Sequence, residues 1–155
     1  MRIIFCDSGF NPREVDFMYA EELESAKQNQ FNTSLISFEE VKNGNFSKAT
    51  KYAKEADELV KGIYRGWMLN PNDYSKLFDT LKQKNIELIN NPNEYKFCHY
   101  LPENYGTIKD LTPKTTFKRL KGEFRISDFI QQIEIFGDQP IVIKDYVKSQ
   151  KHYWD

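Results

Sequence analysis

The chain has 155 residues, enough for one ordinary domain or two small lobes, and its net charge of −1, from 22 basic and 23 acidic residues, supplies no global field to draw nucleic acid. Hydrophobic residues make up 39% and aromatics 15%, which is core material that excludes a natively disordered chain. Two distant cysteines, Cys6 and Cys98, form neither a CxxC pair nor a zinc-spaced cluster, so the expectation is a reduced, cytoplasmic protein without a metal site.

Ile3 to Cys6 is a short apolar run ended by Asp7-Ser8-Gly9-Phe10-Asn11-Pro12. It is too brief for a signal peptide or a membrane span and reads as a first buried strand followed by a turn. From Glu14 to Asn29, Val15, Met18, Tyr19, Glu22, Leu23 and Ala26 recur mostly at three- and four-residue spacing, which predicts a helix with one apolar face. Asn32 to Ser37 reads as strand two. Phe38 to Tyr52 holds the turn Asn43-Gly44-Asn45 and is compatible with helix or a short strand and loop. Glu58 to Tyr64 reads as strand three and delivers Arg65-Gly66-Trp67 to its end. Asn70-Pro71-Asn72-Asp73 caps a helix to about Lys84, with Pro71 in its first turn. Ile86 to Ile89 is strand four, and a helix from Glu94 to about Tyr100 follows.

Strands alternating with helices at this spacing predict an α/β fold with a mostly parallel sheet and flanking helices. Leu101 to Asp110 reads as a connection broken by Pro102 and Gly106, and a lobe boundary is placed there. Beyond it the pattern predicts a strand from Thr115 to Leu120, a turn, a helix capped by Ser127 and running to Phe136, and a terminal buried strand Pro140 to Val147 that contains Lys144. Two readings of that lysine stay open. It is either an edge residue facing water or a phosphate grip, with Lys148 and Lys151 on the loop beyond.

Three pieces, in order, resemble the front half of an ATP-grasp protein, the superfamily of ATP-dependent carboxylate ligases. Ile86-Glu87-Leu88-Ile89-Asn90-Asn91-Pro92-Asn93-Glu94 is similar to the strand and "N-x-P-E-A" helix start that close the Rossmann-like domain. Leu111-Thr112-Pro113-Lys114-Thr115 resembles the "I/V-P-x-T" start of the nucleotide-binding lobe. A helix with Gly137-Asp138-Gln139-Pro140-Ile141-Val142-Ile143-Lys144 is similar to the unit whose lysine binds nucleotide phosphates. The Tyr64-Arg65-Gly66-Trp67-Met68 and Cys98-His99-Tyr100-Leu101-Pro102 segments look closest to a divergent clade of bacterial and phage genomes.

The resemblance implies a Rossmann-like pre-ATP-grasp domain over 1–106 and a small α+β partial ATP-grasp lobe over 107–155. It implies ATP as cofactor, held by Lys144, Lys148 and Lys151, and a carboxylate-bearing acceptor. The strand ends place Arg65, Asp7, Ser8 and Asn11 at the carboxyl edge of the sheet, where open α/β sheets bind ligands. Arg65 either forks onto the acceptor carboxylate or a phosphate or stacks on an aromatic, and Asp7, Ser8 and Asn11 either line the same crevice or only make the turn. Two departures stand out: Tyr100-Leu101-Pro102 replaces a second phosphate-binding lysine, and Val147-Lys148-Ser149-Gln150-Lys151 replaces a glycine-rich lid. The adenine-linker strand and magnesium ligands of the family come later than Asp155. The expectation is therefore an incomplete ligase, inactive alone and needing Mg2+ only when a C-terminal half is supplied. The alternative is a non-catalytic interaction protein that pairs with a partner chain or itself through an open C-terminal edge. His99 and His152 read as a packed residue and part of an anion-binding loop or tail, and Cys98 beside His99 is no nucleophile pair, because neighbouring helical side chains diverge. Neither a nucleic-acid nor a membrane partner is expected.

Overall fold

The structure is a computed structural model and describes residues 1–119, 125 and 127–144. The chain divides into two compact units, Met1–Tyr95 and Lys96–Asp155.

The first unit is an α/β layer built on a four-stranded, all-parallel sheet. Its strands are β1 (Arg2–Cys6), β2 (Asn32–Ile36), β3 (Val60–Arg65) and β4 (Ile86–Leu88), in the spatial order β2-β1-β3-β4. Parallel neighbours require crossovers. These are α1 (Ala20–Gln28) after a 3-10 turn at Phe17–Tyr19, the short helices α2 (Phe38–Lys42) and α3 (Phe46–Ala49), and α4 (Pro71–Lys82). The ambiguous stretch after Phe38 is thus two short helices. Asn70 caps α4 by accepting the Asp73 N–H at 2.9 Å, and Pro71 occupies the first turn, where no N–H is needed.

Alternation along β1 divides the core in two. Ile4 faces a large cluster with Ile36, Val41, Tyr74, Leu77, Leu81, Ile86 and Leu88, drawn from α2, α4 and their strands. Phe5 faces the other way, onto Tyr19 and Ala26 near α1, with Ile3, Leu23 and Leu35 alongside. Burying each such aliphatic or aromatic side chain stabilises the fold by about 1.5–3 kcal/mol. A sheet covered on both faces explains why β1 reads as an unbroken apolar run rather than an alternating one.

One lysine is structural. Lys84 sends its ammonium into the carbonyls of Thr50 and Ala53 (2.6 and 3.1 Å), at the end of α3, and partial burial pulls its pKa below the usual lysine value. Helix α5 (Pro92–His99) begins in the first unit, where Tyr95 grips Leu69: the hydroxyl accepts the Leu69 N–H at 2.8 Å and donates to the Leu69 carbonyl at 3.1 Å.

In the second unit the described residues form helices and no strand: α6 (Leu101–Ile108), a 3-10 turn at Lys109–Leu111, α7 (Ser127–Ile133) and a 3-10 turn at Glu134–Phe136. Three expectations are corrected here. Leu101–Ile108 is helix rather than a broken connection, because Pro102 falls in the first turn and Gly106 costs only about 1 kcal/mol relative to alanine in a helix interior. Thr115–Arg119 is not a strand: the Thr115 N–H goes to the Tyr105 hydroxyl (3.0 Å) and the Thr116 hydroxyl to Gln132 Oε1 (2.6 Å), so side chains take the place of a ladder. The terminal run is not a buried strand over Ile141–Lys144. Ile141, Val142 and Ile143 are 39%, 81% and 80% exposed and belong to no sheet. An apolar run favours extended backbone, but a strand also needs a lateral neighbour. Leu120 and residues 145–147 of those two predicted strands lie outside the described residues. Among the described residues no helix is long and apolar enough to cross a membrane.

Candidate functional site

Strands β1 and β3 lie side by side and send their connections in opposite directions, to β2 and to β4. Open α/β sheets place ligands at such a switch point, beyond the carboxyl ends of the strands. The residues delivered there are Cys6 and Asp7 from β1, and Arg65, Gly66 and Trp67 from β3.

The loop after β1 is closed on itself. Asp7 and Val15 form an antiparallel bridge, the Ser8 N–H donates to the Glu14 carbonyl (2.9 Å), and the Asp16 N–H donates to the Cys6 carbonyl (3.0 Å). Inside it, Ser8 Oγ accepts the Asn11 N–H (3.0 Å) and donates to the Asn11 carbonyl (3.2 Å), while Asn11 Oδ1 accepts the Arg13 N–H (3.0 Å). Ser8 and Asn11 thus make the turn that their residue types favour. Phe10 stands fully exposed at the tip.

Asp16 organises the crevice. One carboxylate oxygen accepts the Met18 N–H and the other accepts the Trp67 indole N–H, both at 2.9 Å. Trp67 sits edge-on to Tyr19 with ring centroids 5.7 Å apart, and its carbonyl accepts the Tyr64 hydroxyl at 2.6 Å. With that proton committed, the Cys6 thiol is the donor across the 3.5 Å to the Tyr64 oxygen. Burial pushes both the Cys6 thiol and the Tyr64 phenol up, so neither is a ready anion at neutral pH. A methyl group at Gly66 would fall well inside contact distance of Cys6 Sγ and 2.8 Å from the Tyr64 ring, so only glycine fits there.

Arg65 lies over the Tyr19 ring, 5.2 Å from its centroid, and its guanidinium forks onto Glu22 at 2.5 and 2.6 Å. The structure thereby brings Arg65 to the predicted edge with its fork occupied, and a ligand carboxylate would have to displace Glu22. Asp7 is 5% exposed and accepts the Gly9 N–H at 3.2 Å. Burial raises its pKa, Gly9 and Ser37 hydrogen bonds oppose the rise, and the nearby Glu39 and Asp16 charges add to it. With Arg65 neutralised by Glu22, this edge is locally acidic. It suits an ammonium or hydroxyl donor better than a phosphate, and burial holds the Asp7 carboxyl there above its ordinary pKa.

Lys144 lies in the second unit, exposed, at the end of the apolar segment Ile141–Ile143. Lys148, Lys151 and His152 lie outside the described residues. His99 is half-buried at the end of α5, and Cys98 before it is exposed. Among the described residues no group of three or more His, Cys, Asp or Glu side chains is placed to hold a metal ion.

Asp16, Tyr64 and Glu22 are the organisers that the sequence did not mark. Asp16 had a local signal, as a carboxylate ahead of a helical turn. The pairing of Glu22 with Arg65 spans 43 positions and has no local signature. No family model matches the chain, and comparisons with curated proteins and with solved structures also return no match.

Proposed function

We propose that the chain is a nucleotide-binding protein of the ATP-grasp type, related to ATP-dependent carboxylate-amine or carboxylate-thiol ligases. The observation that carries this reading is the placement of Lys144. It is exposed, and it follows α7, a positive-φ turn at Gly137 (φ +57°) and an apolar segment, the order in which that superfamily presents its phosphate-binding lysine. The parallel sheet of the first unit is the kind of layer such a protein places ahead of its nucleotide lobe. In this reading Lys144, Lys148 and Lys151 neutralise phosphate oxygens. The acidic edge around Asp7, with Ser8 and Asn11, takes an ammonium or hydroxyl of the acceptor, and Arg65 takes its carboxylate once released from Glu22. Calorimetric titration of ATP with magnesium into wild type and Lys144→Met tests it. Binding by wild type that drops about tenfold or more in the variant is expected for loss of a charge-assisted contact worth about 1.5–3 kcal/mol. Equal binding by both chains, or none by wild type, overturns it.

A second reading is favoured by a different observation: Ile141, Val142 and Ile143 are three consecutive β-branched residues left largely uncovered. Such a run suits a strand buried on both faces. On this reading the chain is an interaction protein that pairs through its C-terminal segment. Sedimentation velocity without nucleotide tests it, because association that grows with concentration is expected and a monomer throughout removes the reading.

A further inference from the structure

The outer edge of β2 and the segment Pro140–Lys144 each carry backbone groups without a partner among the described residues, and the two rows match. The Asp7 N–H donates to the Ile36 carbonyl at 2.9 Å, and β2 pairs with β1 in the register Cys6↔Ile36. Ile36, Ser34 and Asn32 therefore turn their N–H and C=O groups toward β1, and alternation turns Thr33, Leu35 and Ser37 outward. Ser37 is accounted for, since its N–H donates to the Ala49 carbonyl at 2.9 Å. Thr33 and Leu35 are not: among the described residues β2 is the last strand on that side.

Edges of sheets are usually guarded by charge, proline, a bulge or shortness. The opposite edge, β4, is three residues long and carries Glu87, which is bridged by Lys61 and by Lys82. Asn32-Thr33-Ser34-Leu35-Ile36 has none of these guards.

We propose that Pro140–Lys144 of one copy adds as a parallel strand to the β2 edge of a second copy. This rests on the self-association reading above and names its acceptor. In the matching register the Val142 N–H donates to the Thr33 carbonyl and the Lys144 N–H to the Leu35 carbonyl. The Thr33 N–H donates to the Pro140 carbonyl, and the Leu35 N–H to the Val142 carbonyl. Pro140 is asked for a carbonyl only, so its missing N–H costs nothing. Ile141 and Ile143 then stand abreast of Thr33 and Leu35, on the face that packs toward α1. Charge decides the direction. Parallel addition carries Lys144 to the carboxyl end of β2, near Glu39 and Asp7, whose charges already interact. Antiparallel addition would carry it to Asn32, away from any of these carboxylates. Reciprocal exchange closes a two-fold dimer, and one-way addition grows a chain of copies, which their masses separate.

The test joins sedimentation velocity with disulfide trapping. Val142→Pro removes an N–H that the ladder uses, in a segment that belongs to no sheet of the monomer. Association of wild type that weakens about tenfold or more in Val142→Pro is expected from the loss of ladder hydrogen bonds. In a Cys98→Ser background, Thr33→Cys on one chain and Ile141→Cys on another should form a covalent mixed dimer on oxidation. Adding Val142→Pro to the second chain should abolish that dimer. Association lost in Val142→Pro without formation of the trap overturns the β2 acceptor and leaves the self-association reading standing. A monomer at every concentration, or a variant that associates as wild type does, overturns both.

Discussion

Replacing Tyr95 by phenylalanine keeps the ring stacked on Tyr74, at 3.7 Å between centroids and 8° between planes, and removes only the hydroxyl. That hydroxyl satisfies both backbone groups of Leu69, which is 3% exposed. A buried donor or acceptor left without a partner costs about 1–3 kcal/mol, so Tyr95→Phe should destabilise the first unit by about 2–4 kcal/mol, the two groups sharing one lost oxygen. Tyr74→Phe supplies the control. Tyr74 is itself buried, but its hydroxyl donates a single bond at 2.7 Å to the carbonyl of Asn90, an exposed residue, so its loss should cost about 0.5–1.5 kcal/mol. Urea denaturation of both variants, followed by Trp67 fluorescence in a Trp154→Phe background, reports on the first unit alone. Equal costs for the two substitutions, or a larger cost for Tyr74→Phe, would refute the reasoning that burial of the orphaned groups sets the magnitude.

Gly66→Ala should destabilise by about 1–3 kcal/mol through overpacking against Cys6 and Tyr64. Because Cys6 Sγ is the nearest atom, Cys6→Ala combined with Gly66→Ala should cost at least about 0.5 kcal/mol less than the sum of the two single changes, and strict additivity would sink that account. Asp7 has a folded pKa raised above 3.8, mainly by burial, so the stability linked to its protonated form is fully present below pH 3.8 and is lost as pH rises through the folded value. Asp7→Asn should therefore be more stable than wild type at neutral pH, with a difference that shrinks toward acid. A difference that does not change with pH contradicts the burial argument.

Most of the first unit was legible in local pattern, because most of its elements announce themselves within a few residues; α2 and α3, around the turn at Asn43-Gly44-Asn45, did not. The continuous apolar run Ile3–Cys6 read as a buried strand, which it is, and the Asn70-Pro71-Asn72-Asp73 cap marked the start of α4. The second unit was less so. Its apolar and β-branched segments after Thr112 read as strands, but a strand is half of a pair, and the partner of Thr115 turned out to be a tyrosine hydroxyl. The candidate site shows the same division. Arg65, Asp7, Ser8 and Asn11 were placed at the carboxyl edge by reading strand ends.

Local sequence, then, determined the α/β class, the parallel sheet and which residues stand at strand ends, since periodicity and turn chemistry act over a few neighbours. Only the tertiary structure decided what those residues do. It locked Arg65 onto Glu22, bound Trp67 to Asp16, buried Asp7 at an energetic cost, and left Ile141–Lys144 without a strand neighbour among the described residues. Those outcomes depend on which distant groups share a small volume, where charge, burial and hydrogen bonding are settled jointly.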